Sequence, residues 1–332
     1  TSGGYKYCPN DLEIGANNKL WMSTTSSFVY GEGGGTIFSS TDGTNFNLTY
    51  SIPGGDRTQI APSMTNENKV YVLVEDDASN EPDIYLTNNG FGSISQLSEP
   101  ASDGDITTTD FCRGQAFYDL VIKVDPSNDN VAYIGGINLH RTSNSGSSWA
   151  KMSSWSSAYS SGQSIVHSDQ HGIAFHPTNS NAAVFGNDGG VYYSTNLSGA
   201  STSSTAISAR NNGLNITQFY SVGVAPTAAV SGLSSGDYFA AGAQDNGTQY
   251  FENVSTGING SVRSQSGDGA FTMMDQGSDK YYISNYVYNG SVNYRLMVSP
   301  FTVRTINSES ASNGAFIAPM VLDSNLDILY AD

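Results

Sequence analysis

The stretch from Ile122 to Gly136, IKVDPSNDNVAYIGG, decides how the whole chain is read. Ile122 and Val124 stand two apart, a turn of Asp, Pro, Ser and Asn follows, and a second apolar run carries Tyr133. A short alternating run, a cluster of turn formers and another short apolar run describe two strands joined by a turn. The phrase returns from Ile173 to Gly190 as IAFHPTNSNAAVFGNDGG. Weaker copies begin at Leu12, Ile60, Val222, Phe271 and Met320, and the second runs of these other copies carry Trp21, Tyr71, Phe185, Phe239, Tyr282 and Tyr330. The copies start roughly 50 residues apart, a period that suits one four-stranded blade per copy. The expectation is therefore an all-β chain, a β-propeller of four-stranded blades with about seven repeat copies, forming a single propeller domain or propeller fragment over 1–332.

Composition agrees with this and narrows function. Only 13% of residues are charged, and much of the remaining polarity is Ser, Thr, Asn and Gly, as a protein rich in tight turns needs. The net charge of -17 repels phosphate backbones, which excludes nucleic acid as a partner and suits cations, neutral glycans or a basic protein. No stretch approaches the ~18 apolar residues of a membrane helix. The polar start TSGGYKYCPN is no signal peptide, so the chain reads as mature or excised material. The seventh copy stops at Asp332 just after its second run. Its blade would be completed by the N-terminal residues, by a longer parent chain or by another subunit.

Two copies end in a hairpin of one pattern, SSTDGTNF from Ser39 to Phe46 and TSNSGSSW from Thr142 to Trp149. Ser39 or Thr142 is followed four residues later by Gly43 or Gly146 and seven later by Phe46 or Trp149. Asp42 and Asn144 can accept turn N–H groups, the glycines supply positive φ, and the aromatics cover the hairpin. A degenerate copy, LTNNGFGS, starts at Leu86. The pattern resembles the Asp-box, or BNR repeat, of sialidases and sortilin-type receptors. Ser168 to Thr195, Gly213 to Thr227, Gly242 to Phe251 and Gly267 to Asp275 resemble consecutive blades of sortilin-like propellers in secreted Bacteroidota proteins. That resemblance implies export, often through type IX secretion, and a secreted or cell-surface location. It implies little about activity, since one architecture carries enzymes and receptors alike. In an exported protein Cys8 and Cys112, the only cysteines, would form a disulfide if their Cα atoms came within ~7 Å.

Several groups invite a functional reading. His167, Asp169 and His171 alternate, so an extended backbone would turn all three to one side as metal ligands. Asp188, Asp245 and Asp268 sit in Gly-rich turns, where they would cap the turn, bind calcium as the one cofactor the chain suggests, or act as a carboxylate pair in glycoside hydrolysis. Tyr286, Tyr288 and Tyr294 alternate within one segment and would share an exposed sugar-binding face. The seven arginines are scattered over several copies and form no recognisable triad, which argues against a sialidase. The expected function is noncatalytic recognition or adhesion outside the cell, with a glycan or protein ligand. The alternatives are a polysaccharide-degrading glycoside hydrolase and a structural subunit of an extracellular assembly.

Overall fold

In the strand Val70–Asp76 alternate side chains leave opposite faces, as extended backbone requires. Val70, Val72 and Val74 enter one apolar core while Tyr71 and Leu73 enter another. Both faces are covered, which is why this strand reads as unbroken apolar sequence. The computed structural model that shows this describes residues 7–104, 106–226, 233, 237–257, 259–298 and 302–331.

The chain separates into two compact units, Thr1–Gly213 and Leu214–Asp332. Four antiparallel four-stranded sheets form the first unit, each with its strands in chain order. They are β1 Cys8–Ile14, β2 Leu20–Thr25, β3 Thr36–Ser40 and β4 Asn47–Ser51; then β5 Gly55–Pro62, β6 Val70–Asp76, β7 Pro82–Thr87 and β8 Ser95–Gln96. The third sheet has β9 Val121–Val124, β10 Ala132–Gly135, β11 Leu139–Thr142 and β12 Ala150–Lys151. A parallel pair, β13 Ser153–Ser154 and β14 Ser164–Ile165, precedes the fourth. That sheet has β15 Gln170–His176, β16 Asn179–Asn187, β17 Gly190–Ser194 and β18 Ile207–Ala209.

The second unit continues the scheme with β19 Ser221–Val224, β20 Asp237–Ala243, β21 Gly247–Val254 and β22 Val262–Gln265. Its next sheet is β23 Gly269–Met274, β24 Tyr281–Tyr286, β25 Val292–Leu296 and β26 Val303–Asn307. A two-stranded sheet, β27 Met320–Asp323 and β28 Ile328–Ala331, follows. Every copy start named from sequence lies on the first strand of a sheet, and every aromatic of the second runs lies on the second strand. The fold class is that of a β-propeller built from four-stranded blades. Helix among the described residues is confined to four 3-10 turns, none long and apolar enough to cross a membrane.

The cores lie between successive sheets. β10 sends Tyr133 toward the fourth sheet with Phe185, and Ala132 and Ile134 toward the second with Leu73 and Ile84. In the second unit β24 does the same, with Tyr282 in the core beside Tyr250 and with Tyr281 and Ile283 in the core beside Met320. A meander places its connections alternately at two ends of each sheet. In the first unit neighbouring sheets share those ends. Arg57, near the start of β5, donates to the carbonyls of Ala116 and Leu120 just before β9, at 3.2 and 3.4 Å. At the opposite end Lys69, just before β6, reaches Asp129, Asn130 and Ser145 in the turns of the third sheet at 3.0–3.1 Å.

Candidate functional site

The long connection from β8 to β9 and the entry into β15 meet at the end of the first unit where first strands begin. Gln115 links them, its Nε2 donating to Asp169 Oδ1 at 2.9 Å and lying 3.5 Å from Asp119 Oδ2. Asp119 is fully buried, and its Oδ1 has no hydrogen-bond partner among the described residues. Burial first, and the Asp169 charge second, push its carboxyl up to about 9, so it holds its proton at neutral pH. Asp169 is raised as well, by burial and then by Asp188.

The surface of this cluster is built by the β16–β17 turn. Asp188 Oδ1 lies 2.6 Å from His171 Nε2, and the Tyr118 hydroxyl donates to both Asp188 oxygens at 3.0 Å. The Tyr118 ring meets His171 edge-on, with centroids 4.7 Å apart. Gly190, at φ 111°, lets the turn close against Asn211, whose Oδ1 accepts from Val191 N–H and whose Nδ2 donates to the Gly189 carbonyl, both at 2.7 Å. Phe117 and Tyr118 are 60% and 41% exposed here. The β2–β3 loop, on the same end of the first sheet, exposes Phe28, Val29 and Tyr30. At the other end a cavity of about 270 Å³ is lined chiefly by Ile14, Pro62, Met64, Phe175 and Pro177, beside the Glu13–Lys123 ion pair.

Most of the site residues named from sequence are placed differently from the expectation. His167, Asp169 and His171 do not converge as a ligand set among the described residues. Asp169 has φ 62°, so the backbone is not extended there and the alternation breaks; β15 begins only at Gln170. His171 turns instead to Asp188. In the second unit Asp245, also left-handed at φ 61°, donates its N–H to Asp268 Oδ1 at 3.1 Å. The Tyr286 hydroxyl donates to Asp268 Oδ2 at 2.9 Å, and burial together with that bond raises the phenol to about 12.

Tyr286, Tyr288 and Tyr294 share no face. A 3-10 turn over Val287–Asn289 holds Tyr288 at φ 58° and packs it edge-on against Phe316, while Tyr294, on the next strand, packs on Tyr281. The Cys8–Cys112 disulfide is not formed, and both are free thiols. Cys8 belongs to the first sheet and Cys112 to the approach to the third, and the second sheet, with core on both faces, stands between them.

The Asp-box pattern was registered on its glycine, and two of the three turns slip by one residue. In SSTDGTNF the hydroxyl that accepts from the turn is that of Ser40, bonded to Gly43 N–H at 3.0 Å; Ser39 Oγ accepts from Thr49 instead. Asp42 Oδ1 accepts from Thr44 and Asn45 N–H, both at 2.8 Å. Thr142 and Asn144 match this, with bonds from Gly146 and Ser148 N–H at 2.9 and 3.0 Å, and Thr87 and Asn89 do so with Phe91 and Ser93 at 2.9 Å. Trp149 lies over Gly146, as expected. A fourth turn of related kind, missed in the sequence, follows β17: Ser194 Oγ accepts from Asn196 N–H at 3.0 Å and Asn196 Oδ1 from Gly199 N–H at 3.2 Å. Its signal was a hydroxyl two residues before Asn at the end of a third strand. Asp119 and Gln115 had no motif to mark them.

No protein-family model matches the chain, and no curated protein is significantly similar to it. Among solved structures it is similar to YCF48 from Cyanidioschyzon merolae, at 11% identity and TM-score 0.41 over 92% of this chain and 88% of that one. YCF48 bound to a D1 peptide gives 11% and 0.40, covering 99% and 91%. A GH74 enzyme of Niastella koreensis gives 17% and 0.40 over 84% of this chain but only 42% of the enzyme. Likeness at these levels says nothing about the chemistry of this chain.

Proposed function

We propose that this chain is a noncatalytic recognition propeller of the sortilin-like, Asp-box kind, secreted or displayed at a cell surface through type IX export. It takes its ligand at the end of the first unit where first strands begin. One observation carries this reading: the carboxylates there are buried or tied to neighbouring side chains, while Phe117 and Tyr118 stand exposed beside them. Aromatic faces stack on sugar rings, and a carboxylate rim on a chain of charge -17 also favours a basic peptide. The shared hydroxyl-and-Asx turns support the Asp-box kinship. Binding of the full chain to arrays of neutral glycans and of basic peptides tests the proposal. The double variant Phe117→Ala with Tyr118→Ala should lose the captured ligand by about tenfold or more, as truncating an interface anchor does. Unchanged binding by that variant would place the ligand elsewhere.

A second reading, a glycoside hydrolase, rests on Asp119 and Asp169. One carboxyl that stays protonated beside another is the arrangement acid catalysis of glycoside cleavage requires. Against it, Asp119 is 0% exposed and would reach a sugar only after a rearrangement of 106–120. Release of reducing ends from a polysaccharide, lost at least ~100-fold in Asp169→Asn, would establish the enzyme and remove the noncatalytic reading.

A further inference from the structure

We propose that the cavity of about 270 Å³ in the first unit, at the end where first strands finish, binds a small organic ammonium ion: a primary amine on a flat apolar body. The phrase that recurs in the sequence builds this cavity. Three first strands in succession, β5, β9 and β15, run into a proline followed by a hydroxyl residue: Pro62 with Ser63, Pro126 with Ser127 and Pro177 with Thr178. Proline has no N–H to extend a ladder and holds φ near -65°, so each strand stops at the same level. All three prolines line the cavity. The turns that follow are closed by side chains and joined to one another. Ser63 Oγ accepts from Thr65 and Asn66 N–H, both at 3.0 Å, and donates to Asp129 Oδ2 in the next turn at 3.2 Å. Asp125 Oδ1 accepts from Ser127 and Asn128 N–H at 2.8 and 3.2 Å, and Ser127 Oγ lies 3.1 Å from Ser180 Oγ in the turn after that. A frame of linked turns holds the cavity open, so a ligand entering it has little ordering to impose.

The lining sets the chemistry. Apart from Glu13, Lys123 and His176 it is apolar, and Phe175 and the prolines offer flat rings to a flat ligand. Its volume lies just below the ~300–1,000 Å³ of sites for drug-sized molecules, so the ligand is small. His176 is turned back on its own turn, its Nδ1 accepting from Thr178 N–H at 3.3 Å. The polar anchor is therefore the ion pair. The side chains of Glu13 and Lys123 are 24% and 30% exposed, so a ligand can reach them. Lys123 takes Oε1 of Glu13, and Oε2 is the oxygen for the ligand's ammonium. Asp11 also lies within the field of Lys123, its Oδ2 held by the Ile60 N–H at 3.0 Å. Arg57, the other base that Asp11 feels, is engaged by the carbonyls of Ala116 and Leu120. Two carboxylates thus share Lys123, and the excess of negative charge selects a cation over an anion, in the same sense as the chain's charge of -17.

The test is a saturation-transfer NMR titration of the full chain with three probes of one size and different charge: benzylamine, benzyl alcohol and benzoate. We expect saturable binding of benzylamine at about millimolar, the scale a ligand of about eight heavy atoms reaches. It should bind at least ~10-fold more tightly than the other two, as hydrogen bonds to a charged group allow. Glu13→Gln should remove that advantage and, by freeing Lys123, turn the preference toward benzoate. Met64 is 50% exposed at the cavity wall, so Met64→Trp fills the space at little cost to the fold and should abolish binding of all three probes. Phe28→Ala, which removes an exposed ring at the opposite end, should bind benzylamine as the wild type does. Absence of saturable benzylamine binding in the wild-type chain would overturn the proposal, as would equal or tighter binding of benzoate. So would wild-type affinity in a folded Met64→Trp, or loss of binding in Phe28→Ala, since either puts the amine at another place. The cavity stands at the opposite end of the first unit from Phe117 and Tyr118, so failure of either site leaves the other standing.

Discussion

Glu99 and His140 give the fold opposite responses to pH. Burial, with the Asp83 charge second, raises Glu99 from 4.5 to about 8. Its folded form holds a proton that the unfolded chain has released, so its contribution to stability is present at low pH and is lost as pH rises from 4.5 to about 8. His140 is buried, and its ring is pushed from 6.5 down to about 4, by burial first and by Lys151 second. It must stay neutral in the fold, so its contribution is lost as pH falls from 6.5 toward 4. Unfolding midpoints of Glu99→Gln across this range should lose much of the alkaline decline and keep the acid one; an unaltered alkaline slope would show that Glu99 is not held protonated. The register of the first Asp-box turn has its own test. Ser40→Ala should cost about 1 kcal/mol by denaturant unfolding, the usual value of one such hydrogen bond, and Ser39→Ala should cost less. The reverse order would restore the alignment on glycine.

At the scale of the element, a blade holds because its second strand is buried on both faces. Tyr133 and Phe185 lie in one core, and either changed to Ala should destabilise the first unit by about 3–5 kcal/mol, the range for a large aromatic lost from a core. Lys69 is 5% exposed and held by Asp129 at 3.1 Å, joining the second sheet to the third. Lys69→Ala strands a partly buried carboxylate and should cost a few kcal/mol, about 3 by comparison with other broken buried pairs. Adding Asp129→Asn should recover part of that loss; no recovery in the double variant would mean that the pair's charge is unimportant. In β27 and β28, Met320, Leu322 and Leu329 cover Tyr281, Ile283 and Val292 of the preceding sheet. Deleting 320–332 should uncover that face and lower the unfolding midpoint, and a truncated chain as stable as the whole would show that the pair contributes nothing.

At the scale of the whole molecule, charge governs which partners are admitted. With 30 acidic against 13 basic side chains, the protein should show no retention on immobilised duplex DNA at moderate salt, and salt-sensitive binding there would overturn the exclusion of nucleic acid. The sequence by itself determined the first two strands of each copy, the grouping into copies and, to within one residue, three of the turns that follow a third strand. Those features are local: alternation, turn residues and a recurring aromatic are set by neighbours a few positions away, and Ile122 to Gly136 contains all of them. Only the tertiary structure decided the site. Gln115, Asp119, Asp169 and Asp188 come from three separate connections and carry no common motif, so their meeting depends on how the third and fourth sheets pack. The same packing removes water from Asp119 and fixes its protonation, a property that no residue has on its own. The readings that failed, the alternating His167, Asp169 and His171 and the alternating tyrosines, assumed extended backbone where single residues at positive φ redirect the chain. Asp169 is not a glycine, yet it stands at φ 62°, and Gln115 from the β8–β9 connection holds its carboxylate there.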